Sequence, residues 1–346
     1  MTTELATRPV ASGRVSSRPA CPADLPAIIE LLGLCLGEGG IPRTEGWWRW
    51  KHEANPFGPS PVLVAEADGR IVGLRAFMRW LWRAGDRVVP AIRAVDTATH
   101  PAYRGQGIFT DLTRNLLDVV RAEAEFVYNT PNRRSGPGYL KMGWVDHGRV
   151  TVSVRARRPF RMLRSLSNGA GRTASPVEDD TPVIEGRRVR DLLAAPCLET
   201  FLSPGTGARY ETPRDPGYLR WRYVDIPGFR YHATWEAGRR SAAAVIWRIK
   251  RRGDLRELRV VELLVGEGRA AVGHATGLIR GVVRASGCDY ASAMTAPSTP
   301  ERTALRRAGF LTVPGLGPRL VVRALGTGIP PDRAAWRFSI GDLEIF

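Results

Sequence analysis

Apolar residues recur with two different periods along the first hundred positions of the chain. The stretch "RPACPADLPAIIELLGLCLG" is expected to begin with the end of a short strand and to continue as a helix. Four residues at helical spacing lie on one face of that helix, Ile28, Leu31, Leu32 and Cys35, and Asp24 is the candidate cap. Three strand-like runs follow, "PVLVAEA", "RIVGLRAFMRW" and "RVVPAIRAVDTAT". Asp68-Gly69 between the first two runs is typical of a hairpin turn, so the pattern predicts an antiparallel meander.

The helical period returns after residue 107. One stripe of apolar residues predicts a helix there: Ile108, Leu112, Leu116, Val119 and Val120. "EFVYNT" is a strand candidate, "SGPGYLKMGW" a short helix that ends at Gly143, and "GRVTVSVRAR" an alternating strand. The predicted order is one strand, a helix, three strands, a helix, a strand, a short helix and a strand.

The second half of the chain echoes the first. "WRWKHEANPFG" near residue 50 is matched by "LRWRYVDIPGF" near residue 221, and three pairs are each 171 residues apart: Trp50 with Trp221, Lys51 with Arg222, and Pro56 with Pro227. Strand-like and helical runs follow in the same order in both halves. The simplest interpretation is two copies of one α/β module.

These patterns predict an α/β (α+β) fold of two modules, each a mixed, largely antiparallel sheet flanked by helices. Residues 1–16 are expected to be a disordered lead-in, 17–155 the first module and 183–346 the second. Residues 156–182, rich in Gly, Ser and Pro, are the candidate linker. The aromatic and acidic end, "WRFSIGDLEIF", is expected to dock rather than fray.

Composition narrows the class of protein. The chain has 346 residues and a formal net charge of +17, but only three of its 51 basic residues are lysine. The charge suits an anionic ligand such as a nucleotide cofactor and does not single out nucleic acid as a partner. Four widely spaced cysteines without metal-ligand spacing predict free thiols in a cytoplasmic protein without a metal. No apolar stretch approaches the ~20 residues of a membrane span.

The segment "THPAYRGQGIF" (99–109) connects a strand to a helix through two glycines. The first backbone N–H groups of a helix have no intrahelical partner and, with the helix dipole, attract anions. Gly105 and Gly107 allow a ligand to approach the backbone closely, and Arg104 adds a fixed charge for phosphate. A plain strand-to-helix turn is the alternative.

Residues Thr97–Phe109, followed by "YNTPN" and "GYLKMGW", resemble the GCN5-related N-acetyltransferase (GNAT) superfamily. Arg104 and Gly107 fit the first two positions of its (Q/R)-x-x-G-x-(G/A) turn, whereas Phe109 replaces the final small residue. The resemblance covers about residues 17–155. The second half has "VGEGRAAVG" at the turn, so it is expected to be a degenerate GNAT-like copy that shapes the acceptor site.

The resemblance implies acetyl-CoA as the acyl-donor cosubstrate. Backbone at Ala98 and Thr99 would pair with its pantetheine arm, and Asn129 would bind the cofactor or a water. The turn would bind the diphosphate through five residues: Arg104, Gly105, Gln106, Gly107 and Ile108.

The resemblance also implies direct transfer to an amine in a ternary complex, with Tyr139 as the general acid for the departing thiolate. Asp96 is the leading candidate base, although it can equally cap a turn or pair with Arg93. Glu66 and His100 are weaker candidates. The sequence indicates no Ser/His/Asp constellation, which disfavours a covalent acyl-enzyme.

Three functions remain open at this point. The first is N-acyl transfer to a primary amine of a small molecule, such as an amino sugar or specialised metabolite. The second is an aminoacyl-tRNA-dependent transferase, because the two-module arrangement is similar to tandem GNAT peptide-bridge enzymes. The third is a non-catalytic CoA-binding protein.

Overall fold

The computed structural model describes residues 15–36, 43–167, 187–202, 209–238, 241–325 and 333–343. Residues 1–14 of the expected lead-in and residues 168–182 of the expected linker lie outside these ranges. Ser16 already belongs to the first strand.

The first half of the chain contains seven strands and five helices within the described residues. The strands are β1 (Ser16–Pro19), β2 (Val62–Ala67), β3 (Arg70–Ala84), β4 (Arg87–Thr99), β5 (Phe126–Asn129), β6 (Val145–Arg149) and β7 (Val152–Ala156). The helices are α1 (Leu25–Leu36), α2 (Glu45–Trp48), α3 (Ile108–Val120), α4 (Gly136–Lys141) and α5 (Pro159–Ser167). A π-helix, Arg49–Glu53, continues α2.

The described part of the second half contains eight strands and four helices. The strands are β8 (Arg187–Arg188), β9 (Tyr210–Glu211), β10 (His232–Gly238), β11 (Ser241–Arg252), β12 (Leu255–Val265), β13 (Tyr290–Met294), β14 (Leu311–Val313) and β15 (Arg319–Ala324). The helices are α6 (Val189–Leu193), α7 (Pro216–Tyr223), α8 (Gly268–Ala285) and α9 (Pro300–Arg307).

The strands form two mixed sheets, which confirms the predicted fold class. The first sheet has the order β1-β2-β3-β4-β5-β15-β6, with β9 added beside β3, and the second has the order β14-β7-β13-β12-β11-β10-β8. In each sheet the long strands are antiparallel and one central pair is parallel, β4 with β5 and β12 with β13. Helices α3 and α4 cover one face of the first sheet, and α8 and α9 cover one face of the second.

The two sheets share one apolar core on their remaining faces. That cluster combines α1, the tryptophans of α2 and the π-helix, and residues of α7, β11 and positions 336–343. Trp50 and Trp221 meet in its centre, with ring centroids 5.0 Å apart. Each indole N–H donates to the backbone carbonyl of the other residue, at 2.7 and 2.8 Å. The sequence echo at a spacing of 171 therefore corresponds to a reciprocal contact between the two halves.

The sheets exchange one strand each. Strand β7 of the first half lies in the second sheet between β13 and β14, whereas β15 of the second half lies in the first sheet between β5 and β6. Residues 152–156, expected in the first module, thus complete the second sheet. We call the first sheet with its covering helices the first unit and the second sheet with its covering helices the second unit. Helix α5, in the expected linker, docks on the second unit. There, Arg158 and Arg161 pair with the fully buried Asp289.

Lys250 lies half-buried on β11. Burial lowers the pKa of its ammonium group to about 7, and the nearby charges of Arg259 and Arg248 act in the same direction. In the folded protein, Lys250 is therefore mostly protonated only below about pH 7. In the unfolded chain it stays mostly protonated up to about pH 10.4, the ordinary pKa of a lysine. The resulting penalty on stability is fully present below pH 7 and disappears as the pH rises toward 10.4.

Replacing Lys250 by methionine should consequently stabilise the protein at pH 7 by up to about 4 kcal/mol, and the gain should shrink as the pH approaches 10. Thermal unfolding of both proteins across this pH range measures the difference. The exposed Lys141→Met variant is the matched control and should show no such trend. A pH-independent difference for Lys250→Met would contradict this account of its environment.

Candidate active site

The parallel strands of the first sheet separate part-way along their length. Strands β4 and β5 pair from Ala91–Phe126 to Arg93–Tyr128. Beyond Arg93, the residues of β4 up to Thr99 pair only with β3 within the described chain. We call the resulting space between β4 and β5 the first groove. One wall of this groove offers backbone N–H and C=O groups to an extended ligand.

A β-bulge distorts β4 beside this groove. Arg75 of β3 pairs with Thr97 and Ala76 pairs with Val95, so Asp96 is the extra residue, and its φ of 27° reflects the distortion. Bulges commonly occur beside active sites, where they redirect a side chain. Here the bulge turns the Asp96 carboxylate toward the π-helix.

The predicted cofactor residues line the end of the first groove and the turn that follows. Ala98 is buried and Thr99 is half-buried at the end of β4, and the Thr99 carbonyl accepts a hydrogen bond from the Cys35 thiol at 3.2 Å. Asn129 ends β5 on the opposite wall, where its side-chain oxygen accepts from the Thr130 N–H at 2.7 Å.

The glycine turn has the left-handed backbone that the sequence predicts. Gly105 and Gly107 have φ of 81° and 83°, and α3 begins directly after Gly107. Arg104 and Gln106 are exposed, whereas Ile108 is buried and anchors the helix. The start of α3, whose leading N–H groups have no intrahelical acceptor, therefore lies beside the exposed Arg104 guanidinium, as an anion site requires.

The second sheet has the corresponding groove, but the chain itself fills it. Strands β12 and β13 pair as far as Val260–Ala293, and a bulge leaves Val261 as the extra residue. The Val261 carbonyl accepts a hydrogen bond from the backbone N–H of Gly341 at 3.1 Å. The C-terminal segment (residues 339–343) thus occupies the place that is open in the first groove.

Close packing at Gly341 and an ion pair of Asp342 hold the C-terminal segment in place. A Cβ on residue 341 would lie 1.8 Å from the Tyr223 hydroxyl oxygen, so only glycine fits there. The carboxylate of Asp342 pairs with Arg214 at 3.0 Å, and Arg214 also pairs with Glu262 of β12 at 2.8 Å. The docked tail that the sequence predicts is therefore present through Leu343.

Tyr139, the predicted general acid, is buried on α4 and its hydroxyl oxygen accepts a hydrogen bond from Arg75 at 2.7 Å. Arg75 is 1% exposed and forms no ion pair with any acidic side chain that the structure describes. Its guanidinium instead lies over aromatic rings, 5.4 Å from the ring centroid of Tyr139 and 5.7 Å from that of Phe109. Phe109, which replaces the small residue of the family turn, packs against the Tyr139 ring with centroids 5.6 Å apart.

Asp96 lies at the centre of a buried polar cluster. Its carboxylate is 2.8 Å from the Lys51 ammonium and 2.8 Å from His52 Nε2. The other ring nitrogen of His52, Nδ1, is 2.9 Å from the hydroxyl of Ser60. Burial alone would raise the pKa of Asp96, but the charge of Lys51 and the hydrogen bond from His52 outweigh it and hold that pKa far below its usual range.

The other acid–base candidates have structural partners. Arg93 does not pair with Asp96, because it donates to the backbone carbonyl of Asp342 at 2.9 Å. Glu66 pairs with Arg18, and His100 accepts from the Ala102 N–H at the start of the turn. His52 and Ser60 were not predicted from the sequence. The π-helix, a distortion frequent at functional sites, is the local signal that points to His52 once the structure is known.

A small cavity of about 20 Å³, room for roughly one water molecule, lies between the two units close to this cluster. It is lined by Lys51 and Arg93 from the first unit and by Arg222 and Leu343 from the second, together with four tryptophans. In the described residues, no group of three His, Cys, Asp or Glu side chains is placed to hold a metal ion. Within the same ranges, no helix is long and apolar enough to cross a membrane.

Central strands that separate at a bulge, a helix-opening glycine turn and a buried tyrosine occur together in the first half of the chain. Residues 16–145 match the family model described as Acetyltransferase (GNAT) domain. The first half of the chain is therefore similar to a GNAT acetyltransferase domain.

Solved structures of similar fold cover nearly the whole chain. A probable N-acyltransferase from Enterococcus faecalis (12% identity) and a GCN5-related N-acetyltransferase from Anabaena variabilis (14% identity) both have TM-scores of 0.61. Each match covers 90% of this chain and 73% of the other. Eis1 from Mycobacterium abscessus has a TM-score of 0.52 at 14% identity, with 90% and 74% covered. No curated protein matches the sequence. At these identities the likeness establishes the fold.

Proposed function

We propose that the protein transfers an acyl group from acetyl-CoA to a primary amine of a small molecule, directly within a ternary complex. GNAT domains in general use acetyl-CoA. The observation that supports the proposal best is the contrast between the two grooves. Among the described residues, nothing pairs with β4 beyond Arg93 on the side of the first groove, which leads to the glycine turn, whereas residues 339–343 lie in the second.

The residues of the first unit fit this donor. The N–H groups of residues 105–108 and the Arg104 guanidinium suit the diphosphate, since charge-assisted hydrogen bonds contribute about 1.5–3 kcal/mol each. The edge of β4 at Ala98 and Thr99, which pairs with β3 and not with β5, suits an extended amide-containing arm, and Asn129 ends β5 on the opposite side of the groove. Acetyl-CoA supplies the activated thioester.

We place the acceptor at the junction of the two units, beside this small cavity. The first unit contributes Lys51 and the second contributes Arg222 and Leu343, so the second unit shapes this pocket instead of binding a second donor. In this proposal the second unit is a GNAT-like copy whose own groove is occupied by the C-terminal segment.

Tyr139 is the proposed proton donor for the thiolate that leaves when the amine attacks. Its hydroxyl oxygen is held in position by a hydrogen bond from the buried Arg75 guanidinium. This role requires no covalent acyl-enzyme.

Replacing Tyr139 by phenylalanine should lower kcat by about 100-fold and leave the KM for acetyl-CoA within about threefold, since general acids contribute about 10²–10⁴-fold. Free-thiol release with an amine that the wild type accepts measures both constants. The variant should also lose about 1–3 kcal/mol of stability, because Arg75 is left without this hydrogen-bond acceptor.

Tyr128→Phe is the matched control, because Tyr128 is equally buried beside the groove and its hydroxyl has no hydrogen-bond partner in the described structure. It should turn over at the wild-type rate. An unchanged kcat for Tyr139→Phe would contradict the assignment of the acid, and absence of any amine-dependent thiol release by the wild type would favour a non-catalytic CoA-binding protein.

A further inference from the structure

Helix α5 presents two large apolar side chains to the solvent. Phe160 is 85% exposed and Leu163 is 63% exposed. They are three positions apart and therefore lie on the same face of the helix. Met162, which is half-buried, and Ser165, which is buried, lie on the opposite face. Single exposed apolar residues are ordinary, but two on one helix face form a surface that a partner can cover.

Arginines from three neighbouring elements surround the start of this helix. The Arg157 guanidinium donates to the backbone carbonyls of Val283 and Arg284 near the end of α8, at 2.7 and 3.0 Å. Arg280, one turn earlier on α8, donates to the carbonyl of Arg307, the last residue of α9, at 2.6 Å. The ends of α8 and α9 and the start of α5 therefore belong to one surface.

The positive charges on this surface are close enough to act on a neighbouring arginine. Arg155 of β7 has a pKa below the ordinary value for arginine. Burial is the first cause, and the positive charges of Arg157, Arg280 and Arg284 oppose its protonation in addition. The arginines at this end of the second sheet therefore form one region of positive potential.

Acidic side chains offset little of this charge at the surface. Asp289 pairs with both Arg158 and Arg161, but Asp289 is fully buried, whereas the two arginine side chains are about half exposed. Asp254 is an exposed acid beside α5, where its backbone carbonyl accepts from Arg161 at 3.2 Å. The basic end of the second unit is defined here by Phe160 and Leu163 together with five arginines: Arg157, Arg158, Arg161, Arg280 and Arg284.

We propose that the basic end docks the protein on a membrane surface rich in anionic phospholipids. Its arginines attract the phosphates of the lipid headgroups, and Phe160 and Leu163 enter the boundary between headgroups and acyl chains. Positive charge alone suits a nucleic acid equally well. The two apolar side chains favour the membrane, because a phosphate backbone offers Leu163 no apolar surface. This docking involves none of the residues assigned to acyl transfer and goes beyond the proposed function.

Co-sedimentation of the full-length protein with lipid vesicles tests the proposal. Vesicles of phosphatidylcholine with one third phosphatidylglycerol should bind at least about 100-fold more tightly than vesicles of phosphatidylcholine alone, since each arginine near an anionic surface contributes about fivefold. Binding should weaken at high salt, because mobile ions screen these charges. Equal affinity for both kinds of vesicle, or binding to neither, would overturn the proposal.

The apolar contribution is measured with the double variant Phe160→Ser/Leu163→Ser. Its affinity for the anionic vesicles should fall at least about tenfold, because neither side chain then enters the lipid. Leu34→Ser/Val145→Ser is the matched control, since these side chains are 55% and 62% exposed on α1 and β6, and it should bind as the wild type does. An unchanged affinity for Phe160→Ser/Leu163→Ser would contradict insertion of this helix.

The place of the charge is tested with Arg284→Glu. This substitution changes the charge of the basic end by two and should lower the affinity for anionic vesicles about 30-fold. Arg70→Glu changes the net charge of the protein equally, at the exposed start of β3, and should stay within threefold of the wild type. Equal losses in both variants would mean that only the overall charge of the chain matters, and the docking site would be wrong.

A short DNA duplex identifies the alternative partner. At equal phosphate concentration the duplex should bind more weakly than the anionic vesicles, and Phe160→Ser/Leu163→Ser should not alter its affinity. Tighter binding to the duplex than to the vesicles would overturn the membrane proposal in favour of nucleic acid. Thiol release without vesicles should be the same for this double variant and the wild type, so a failure of docking and a failure of the proposed acyl transfer are separate results.

Discussion

Replacing Gly107 by valine should lower the affinity for acetyl-CoA by at least about 100-fold. Gly107 has φ of 83° and ends the turn from which α3 starts. A β-branched residue strains this backbone and places its methyl groups where the diphosphate must approach the N–H groups. Loss of two charge-assisted hydrogen bonds, at about 1.5–3 kcal/mol each, corresponds to more than a hundredfold in affinity. Isothermal titration calorimetry measures the effect.

Gly268 offers a matched control at the same place in the second unit. It begins α8 with φ of 87°, and a Cβ added there would have open space. Gly268→Val should therefore lose about as much stability as Gly107→Val, of order 1–2 kcal/mol, without a change in acetyl-CoA affinity. Equal losses of affinity in both variants, or none in either, would contradict the assignment of the anion site to the first unit.

Neither half of the chain should fold by itself. A fragment of residues 1–167 lacks β15, whose Leu320, Val321 and Val322 are each at most 1% exposed in the first sheet. Burying three such side chains contributes roughly 2 kcal/mol apiece, which is comparable to the whole stability of an ordinary domain. The fragment should show no cooperative thermal transition by circular dichroism.

In the fragment of residues 1–167, strand β7 cannot take the place of β15 in the first sheet. β15 is apolar on both faces, whereas β7 alternates and would bring Ser153 and Arg155 to one buried face. Residues 1–167 and 187–346 produced together should instead assemble into a one-to-one complex with a cooperative transition. A sharp transition for residues 1–167 alone would contradict the account of the exchange.

Much of the local structure was predictable from the sequence. The glycine turn could be predicted because "RGQG" places two glycines, which tolerate positive φ, directly before a helical pattern. The meander could be predicted because Asp68-Gly69 lies between two strand-like runs. The repeat offset of 171 also corresponds to a real contact, the reciprocal hydrogen bonds of Trp50 and Trp221.

The partners of the strands and of the polar side chains were not predictable in this way. An alternating run such as β7 indicates a strand but does not say which sheet it joins, so the exchange with β15 could not be inferred. His52 and Asp96 are 44 residues apart and meet only because a π-helix faces a bulge. Without that geometry, the sequence gives no sign that Lys51 and His52 are the partners of Asp96.

A crystal structure with acetyl-CoA bound tests the central claim most directly. We predict one molecule per chain, with its diphosphate on the N–H groups of residues 105–108 and its arm between β4 and β5, while Gly341 keeps its hydrogen bond to Val261. Acetyl-CoA bound instead in the second groove, with residues 339–343 displaced, or a first groove that stays empty at saturating acetyl-CoA, would contradict the account.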